Sequence, residues 1–327
     1  MRPPLSSLAP PFAPAFRRAT LLAVLSLAAA SVGCSYQTSP IAGTGDGGPG
    51  DPGTLAPDEA LFQEALALYD AKDCASAQVK FDELLVSYPD SARADNSAYL
   101  AGRCRYQQGD YQGAIDALTA MISAYPGSNF VSSAHYFTGR SRYKLGQFVA
   151  AVADFTASVQ ADATGTYADN AQYYVGRCYY EAGQLADAVS ALLAMEQSYP
   201  DSSYLDNARY YLGRSYFDGG NYDSAKAPFE RVFSTPGSIF ADNARYYLGR
   251  CKYALADLNA ALLDFQDVTS TFATSQYADN AYYYEVRVYV DLADCTSASS
   301  ALTELQAAFP ASPEITRAQS YMANNGC

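Results

Sequence analysis

The sequence predicts an all-α solenoid of about seven helical hairpins closed by a C-terminal capping helix. Three observations carry this expectation. An Asp-Asn pair or a near relative recurs at Asp95, Ser132, Asp169, Asp206, Asp242 and Asp279, every 36 or 37 residues. An Arg follows eight residues after each, at Arg103, Arg140, Arg177, Arg214, Arg250 and Arg287, and a Gly precedes five of the six (Gly102, Gly139, Gly176, Gly213, Gly249). Each period holds two apolar patterns of helical spacing split by a turn. A hairpin this small cannot bury its apolar face alone, so neighbours must stack.

The chain begins with an export signal. Residues 1–20 carry Arg17 and Arg18 and no acid, and residues 21–33 (LLAVLSLAAASVG) are apolar but too few to span a bilayer comfortably. The run Ser31-Val32-Gly33-Cys34-Ser35 resembles the lipobox of bacterial lipoproteins, with Ser31 where Leu is usual. That resemblance implies a signal peptide over 1–33 and acylation of Cys34. Ser35 rather than Asp after the Cys implies sorting to the outer membrane, facing the periplasm. Several acyl chains would make the anchor stable where one would not. The alternatives are cleavage after Ala30, giving a soluble periplasmic chain, and display on the cell surface. Residues 34–57 are rich in Gly, Pro, Ser and Thr without apolar period, and read as a flexible tether.

Composition limits the partners. The formal charge is −13, and loss of the leader removes Arg2, Arg17 and Arg18 but no acid. So acidic a body is a poor match for nucleic acid or an anionic membrane surface, leaving the lipid anchor as the membrane contact.

The solenoid is expected over 58–327, with units near 58–91, 92–128, 129–165, 166–202, 203–238, 239–275 and 276–312, and a cap over 313–327. In the fourth unit the first helix is expected near 168–182, the turn at Gly183 and the second helix near 185–198, stopped by Tyr199-Pro200. Pro89, Pro126, Pro236 and Pro310 mark the same stop. The Asp-Asn pairs are expected to cap the first helices and to complement their dipoles.

These units resemble the tetratricopeptide repeat, whose signature runs Leu-Gly, Tyr, Ala, aromatic and Pro at fixed offsets. The fifth unit shows Leu212-Gly213, Tyr216, Ala225 and Phe229, and the later Ala recurs at Ala77, Ala114, Ala151, Ala188, Ala261 and Ala298. The signature Trp is absent; an aromatic two positions later (Phe137, Tyr174, Tyr211, Tyr247, Tyr284) is expected to fill its place. The longer unit is similar to repeats of envelope lipoproteins such as BamD-type assembly factors and the coordinator of the Tol-Pal system. The resemblance implies a right-handed superhelix with a concave groove, and it is weak for function, because function lives in the surface built on a fold.

Within each first helix, four positions at i, i+3, i+7 and i+10 fall on one stripe. They are Asn96, Tyr99, Arg103 and Tyr106 in the second unit, and Ser133, Tyr136, Arg140 and Tyr143 in the third. The fourth has Asn170, Tyr173, Arg177 and Tyr180; the fifth Asn207, Tyr210, Arg214 and Phe217. The sixth has Asn243, Tyr246, Arg250 and Tyr253; the seventh Asn280, Tyr283 and Arg287, breaking at Val290. By resemblance this stripe lines the groove. Such a wall suits carboxylates, extended backbone or sugar rings. It equally suits bracing, with each Arg paired to an Asp of a neighbouring unit and the rings stacked between units.

Of seven cysteines, Cys34 leaves six for an oxidising compartment. Cys74 and Cys295 occupy turn positions, while Cys104 sits just after the Gly-Arg of the next first helix and Cys327 near the equivalent position of a terminal half-repeat. Disulfides Cys74–Cys104 and Cys295–Cys327 are therefore expected, stitching the two ends where a solenoid frays. Cys178 and Cys251 lack a turn partner and read as small packing residues, with no metal-ligand spacing.

Nothing in the chain reads as an enzyme. The single His, His135, sits where other units have Gln172 or Arg209, and no nucleophile elbow, metalloprotease motif or phosphate loop occurs. No cofactor is expected. The expected function is an envelope-anchored scaffold that binds a protein or peptide segment, in outer-membrane assembly or envelope maintenance. The alternative is a glycan-binding scaffold in polysaccharide export or peptidoglycan handling.

Overall fold

The computed structural model describes residues 55–327, so the export signal, the proposed lipidation site Cys34 and most of the tether lie outside the described residues. Seven hairpins follow one another: α1 (Pro57–Asp70) with α2 (Cys74–Ser87), α3 (Ala94–Gln107) with α4 (Tyr111–Ala124), and α5 (Val131–Lys144) with α6 (Phe148–Ala161). Then come α7 (Ala168–Glu181) with α8 (Leu185–Ser198), α9 (Leu205–Asp218) with α10 (Tyr222–Ser234), α11 (Ala241–Ala254) with α12 (Leu258–Thr271), and α13 (Ala278–Asp291) with α14 (Cys295–Ala308). A single helix, α15 (Glu314–Asn324), closes the stack. No described helix is long and apolar enough to cross a membrane.

The first six hairpins are each folded about one large apolar residue of the second helix. Phe81, Leu118, Phe155, Leu192, Phe229 and Phe265 are fully buried, each beside the conserved-spacing Ala (Ala77, Ala114, Ala151, Ala188, Ala225, Ala261), which is also fully buried. In the second to sixth hairpins the first helix reaches that close because it presents Gly at the crossing. The inter-helix turn needs a left-handed residue, supplied by Gly183 at φ +75° in the fourth unit.

The Asp-Asn pairs do not cap the first helices. Asp95, Asp169, Asp206, Asp242 and Asp279 lie inside the first turn, and the residues before these helices make no side-chain cap bond. Their place near the helix N-terminus still suits the dipole. The carboxylate is instead used at the junction with the next unit: it accepts the hydroxyl of the Ser 32 or 33 residues on, in the loop that leads into the next first helix. Ser91 donates to Asp58 at 2.7 Å, Ser128 to Asp95 at 2.6 Å, Ser202 to Asp169 at 2.6 Å, Ser275 to Asp242 at 2.6 Å and Ser312 to Asp279 at 2.8 Å. Ser238 does the same to Asp206. The same hydroxyl accepts the backbone N–H two residues on, as Tyr204 gives to Ser202 at 3.0 Å. At the remaining junction both partners change together: Ser132 replaces the Asp and Gly165 the Ser, and the Ser132 hydroxyl turns to the Ser158 carbonyl at 3.0 Å. Side-chain caps are found on second helices instead, from Asp73, Asp110, Asp257 and Asp294. Asp169→Ala is expected to lower the stability of the stack by roughly 1–2 kcal/mol in urea unfolding, the worth of a charge-assisted bond. A loss of only a few tenths would show that the clip contributes nothing.

The cysteines divide. Cys295, at the start of α14, is bonded to Cys327, with Cα atoms 5.2 Å apart, so the cap is tied to the last hairpin. The Cys74–Cys104 disulfide is not formed. Both are buried free thiols that interact side chain to side chain, and Cys74 Sγ also donates to Gln107 Oε1 at 2.7 Å. Cys178 and Cys251 are completely buried, and burial pushes each thiol up to about 12, so neither is a nucleophile at neutral pH.

Candidate functional site

The arginine row follows from the heptad-like spacing of the first helices. Because each unit repeats the last, the guanidinium of one unit is brought between rings of the units before and after. Arg140 lies 5.8 Å from the Tyr106 ring and 4.8 Å from that of Tyr174. Arg177 lies 5.1 Å from Tyr143 and 5.0 Å from Tyr211; Arg214 lies 5.5 Å from Tyr180 and 4.5 Å from Tyr247. Arg250 sits between Phe217 at 4.6 Å and Tyr284 at 5.5 Å, and Arg103 between Tyr69 at 5.5 Å and Phe137 at 4.7 Å. Val290 ends the stripe within the seventh unit, but the cap continues it. Tyr321 of α15 covers Arg287 at 4.7 Å, opposite Tyr253 at 4.8 Å. The result is one ring–guanidinium–ring ladder through the stack.

The expected stripe residues take three depths. Tyr99, Tyr136, Tyr173, Tyr210, Tyr246 and Tyr283 are buried, with 1–6% of their surface exposed. Tyr106, Tyr143, Tyr180 and Tyr253 are half-buried at the rim, and Phe217 is buried. The guanidiniums lie between, Arg177 exposing 27% of its side chain and Arg214 21%. Of the polar position, Asn170 is buried and bridges two units, donating to Tyr136 Oη at 2.8 Å and Tyr204 Oη at 2.7 Å. Asn96, Asn207, Asn243 and Asn280 are half-buried.

The inter-unit Arg–Asp pairs considered for bracing are not how the row is held. Arg177 and Arg214 instead meet acids of their own helices, Glu181 at 3.6 Å and Asp218 at 3.2 Å. Those acids also gather tyrosine hydroxyls from the preceding unit: Tyr143 donates to Glu181 at 3.3 Å and Tyr180 to Asp218 at 2.7 Å. Asp291 takes Tyr253 at 2.5 Å and Tyr321 at 2.6 Å. Among the described residues, Arg140, Arg250 and Arg287 form no ion pair; Arg140 donates to Tyr136 Oη at 2.6 Å. Burial, the largest influence, pushes the phenols of Tyr136, Tyr173 and Tyr246 well above their ordinary range. The rings are therefore neutral, and the guanidiniums carry the positive charge of the row.

A second aromatic row was not read from the sequence. Phe130, Tyr167, Tyr204, Phe240 and Tyr277, just before the first helices of the third to seventh units, stack on the buried Tyr of the preceding unit, with centroids 5.0, 4.4, 5.8, 4.6 and 4.7 Å apart. The signal was present as an aromatic two residues after Ser128, Gly165, Ser202, Ser238 and Ser275, five of the seven loop positions. His135, the lone histidine, is half-buried and lies outside the row; burial, then Arg142, hold its pKa down.

Comparisons agree with this geometry. Residues 55–166 match the family model described as YfiO, outer membrane lipoprotein, and two tetratricopeptide-repeat models match residues 134–203 and 207–238. The C-terminal part of a repeat-containing protein from Cytophaga hutchinsonii superposes with TM-score 0.65 at 19% identity, covering 79% of this chain and 98% of that one. A tetratricopeptide-repeat protein from Parabacteroides merdae gives 0.51 at 15% identity, covering 82% and 99%. YrrB, described as a tetratricopeptide-repeat protein with an unusual peptide-binding site, gives 0.51 at 16% identity, covering 63% and 99%. No curated protein sequence matches the chain.

Proposed function

We propose that this tetratricopeptide-repeat chain is a non-enzymatic scaffold of the bacterial envelope that receives a protein or peptide segment along its arginine row. The match of its first units to a family of outer membrane lipoproteins supports an envelope setting, and with it acylation at Cys34. Anchoring on the periplasmic side of the outer membrane follows from the Ser35 reading.

One observation carries the binding role: from the second unit to the seventh, one guanidinium per unit is held between rings of the neighbouring units, and Arg177 and Arg214 keep 27% and 21% of their side chains exposed. A guanidinium fixed by two rings loses little freedom when its outer N–H groups meet a carboxylate or a carbonyl, so the cost of ordering has been met in folding. Successive units repeat the donor, which suits an extended, acidic or carbonyl-rich segment. The ring faces are largely used between units, leaving little for stacking on sugars; this favours a peptide over a glycan.

Arg140 and Arg250 have no neutralising acid, so their edges are the stronger acceptor-seeking groups. Crosslinking in cells identifies the captured partner. Arg140→Ala/Arg250→Ala is expected to weaken its binding at least tenfold, and Arg177→Ala/Arg214→Ala less, with circular dichroism confirming retained helix. Unchanged capture by both double variants would remove the row from recognition and leave it as a brace. Recovery of polysaccharide or peptidoglycan in place of protein would favour the glycan reading.

A further inference from the structure

The seventh unit departs from the sixth at one connected set of positions. In the sixth, Asp264 is buried and held by Arg245 at 2.9 Å and Lys252 at 2.8 Å, while Arg245 also meets Asp267 at 2.8 Å. One unit later, Arg245 becomes Tyr282, Lys252 becomes Tyr289, Asp264 becomes Ala301 and Asp267 becomes Glu304. The apolar Leu248 becomes Glu285. Both cations and the Asp264 carboxylate are gone, one carboxylate is kept as Glu304 and a new one, Glu285, is gained.

These residues line a cavity of about 360 Å³ between α12, α13 and α14. Glu285 is 4% exposed at its wall, and its Oε1 accepts Thr269 Oγ1 at 2.8 Å. The other buried carboxylates, Asp154, Asp264 and Glu314, each meet an Arg or Lys. Among the described residues Glu285 meets none, and the charged group facing it across the cavity is Glu304 of α14. Tyr282 and Tyr289 add ring faces, the usual companions of carboxylates in sites for organic cations.

We propose that this cavity is a receptor for a guanidinium or alkylammonium group, which takes the place vacated by the arginine and lysine of the preceding unit. Helical spacing puts Tyr282, Glu285 and Tyr289 on the side of α13 away from Tyr283 and Arg287, so the site is separate from the arginine row and stands or falls independently of it. Burial, reinforced by Glu304 and opposed by the Thr269 bond, pushes the Glu285 carboxyl up to about 7. Binding therefore strengthens as pH rises through that value.

The test is titration of the protein at pH 8 with arginine amide and with its uncharged isostere citrulline amide, followed through the tyrosine ring resonances in NMR. Arginine amide is expected to bind at least tenfold more tightly than citrulline amide. Glu285→Gln is expected to lose that preference, and so is Tyr282→Arg, which restores the cation of the sixth unit and fills the cavity from within. Equal binding of the two probes, or an arginine preference that survives both variants, would overturn the proposal. Should Glu285→Gln fail to fold, Tyr282→Arg decides alone. An arginine-containing peptide that binds more tightly than arginine amide assigns the cation to a protein partner; equal binding assigns it to a free small cation.

Discussion

Gly213→Val is expected to lower stability by about 3 kcal/mol or more, as a marked fall in the urea midpoint. A Cβ at Gly213 would stand 2.7 Å from Phe229 Cε1, inside van der Waals contact. Phe229 cannot yield, because it is fully buried and packed against Tyr210 at 6.2 Å and Tyr247 at 5.5 Å between ring centroids. Valine adds two methyl groups beyond that Cβ, so the helices of the fifth hairpin must part. In a solenoid such damage passes to the neighbours, since each unit is stabilised by the next. The seventh unit shows the compensation a larger residue requires: it carries Val286 at this position, and the facing Leu302 is only half-buried, unlike Phe229. Gly213→Val/Phe229→Ala should accordingly be less destabilised than the sum of its two single variants. Additive losses would show that the helix crossing is not limited by this contact.

The glycine contact was legible because it is local. A Gly before five of the six Arg residues, in the middle of a helical pattern, has no role as a turn and so marks close approach. Period, hairpin count and the α7 and α8 boundaries came from the same short-range signals. The Asp–Ser clips were not legible as such, because the partners lie 32 or 33 residues apart and meet only when units stack. The joint loss of both at Ser132 and Gly165 was the trace they left. The stripe of Asn, Tyr, Arg and Tyr marks one side of each first helix and is silent on depth. Helical spacing says which side a residue faces; it does not say that Tyr167 or Tyr204 will come down on the tyrosine of the unit before. Cys74 and Cys104 show the same limit, since equivalent spacing at the two ends gave one bonded pair and one pair of free thiols.

Glu285 should make the protein less stable as pH rises from 5 to 8, and Glu285→Gln should abolish about 2.5 kcal/mol of that decline. The ordinary glutamate value is 4.5, and burial with the facing Glu304 lifts Glu285 to about 7 in the fold. An acid whose folded value is raised binds its proton more tightly folded than unfolded. It therefore costs nothing below pH 4.5, where both states are protonated. The penalty grows between 4.5 and 7, as the unfolded chain ionises first, and is complete above 7. Thr269 of α12 hydrogen-bonds the carboxyl and limits the shift, whereas Tyr282 and Tyr289 of α13 bring no charge at these pH values. Gln keeps the Thr269 bond and never ionises. Urea unfolding of both proteins at pH 5 and pH 8 isolates the effect, because every other titrating group is common to the two. An identical pH dependence would mean that Glu285 reaches water or a cation when folded. Arginine amide at pH 8 should recover part of the loss in the parent protein and none in Glu285→Gln, since a ligand stabilises only the state that binds it.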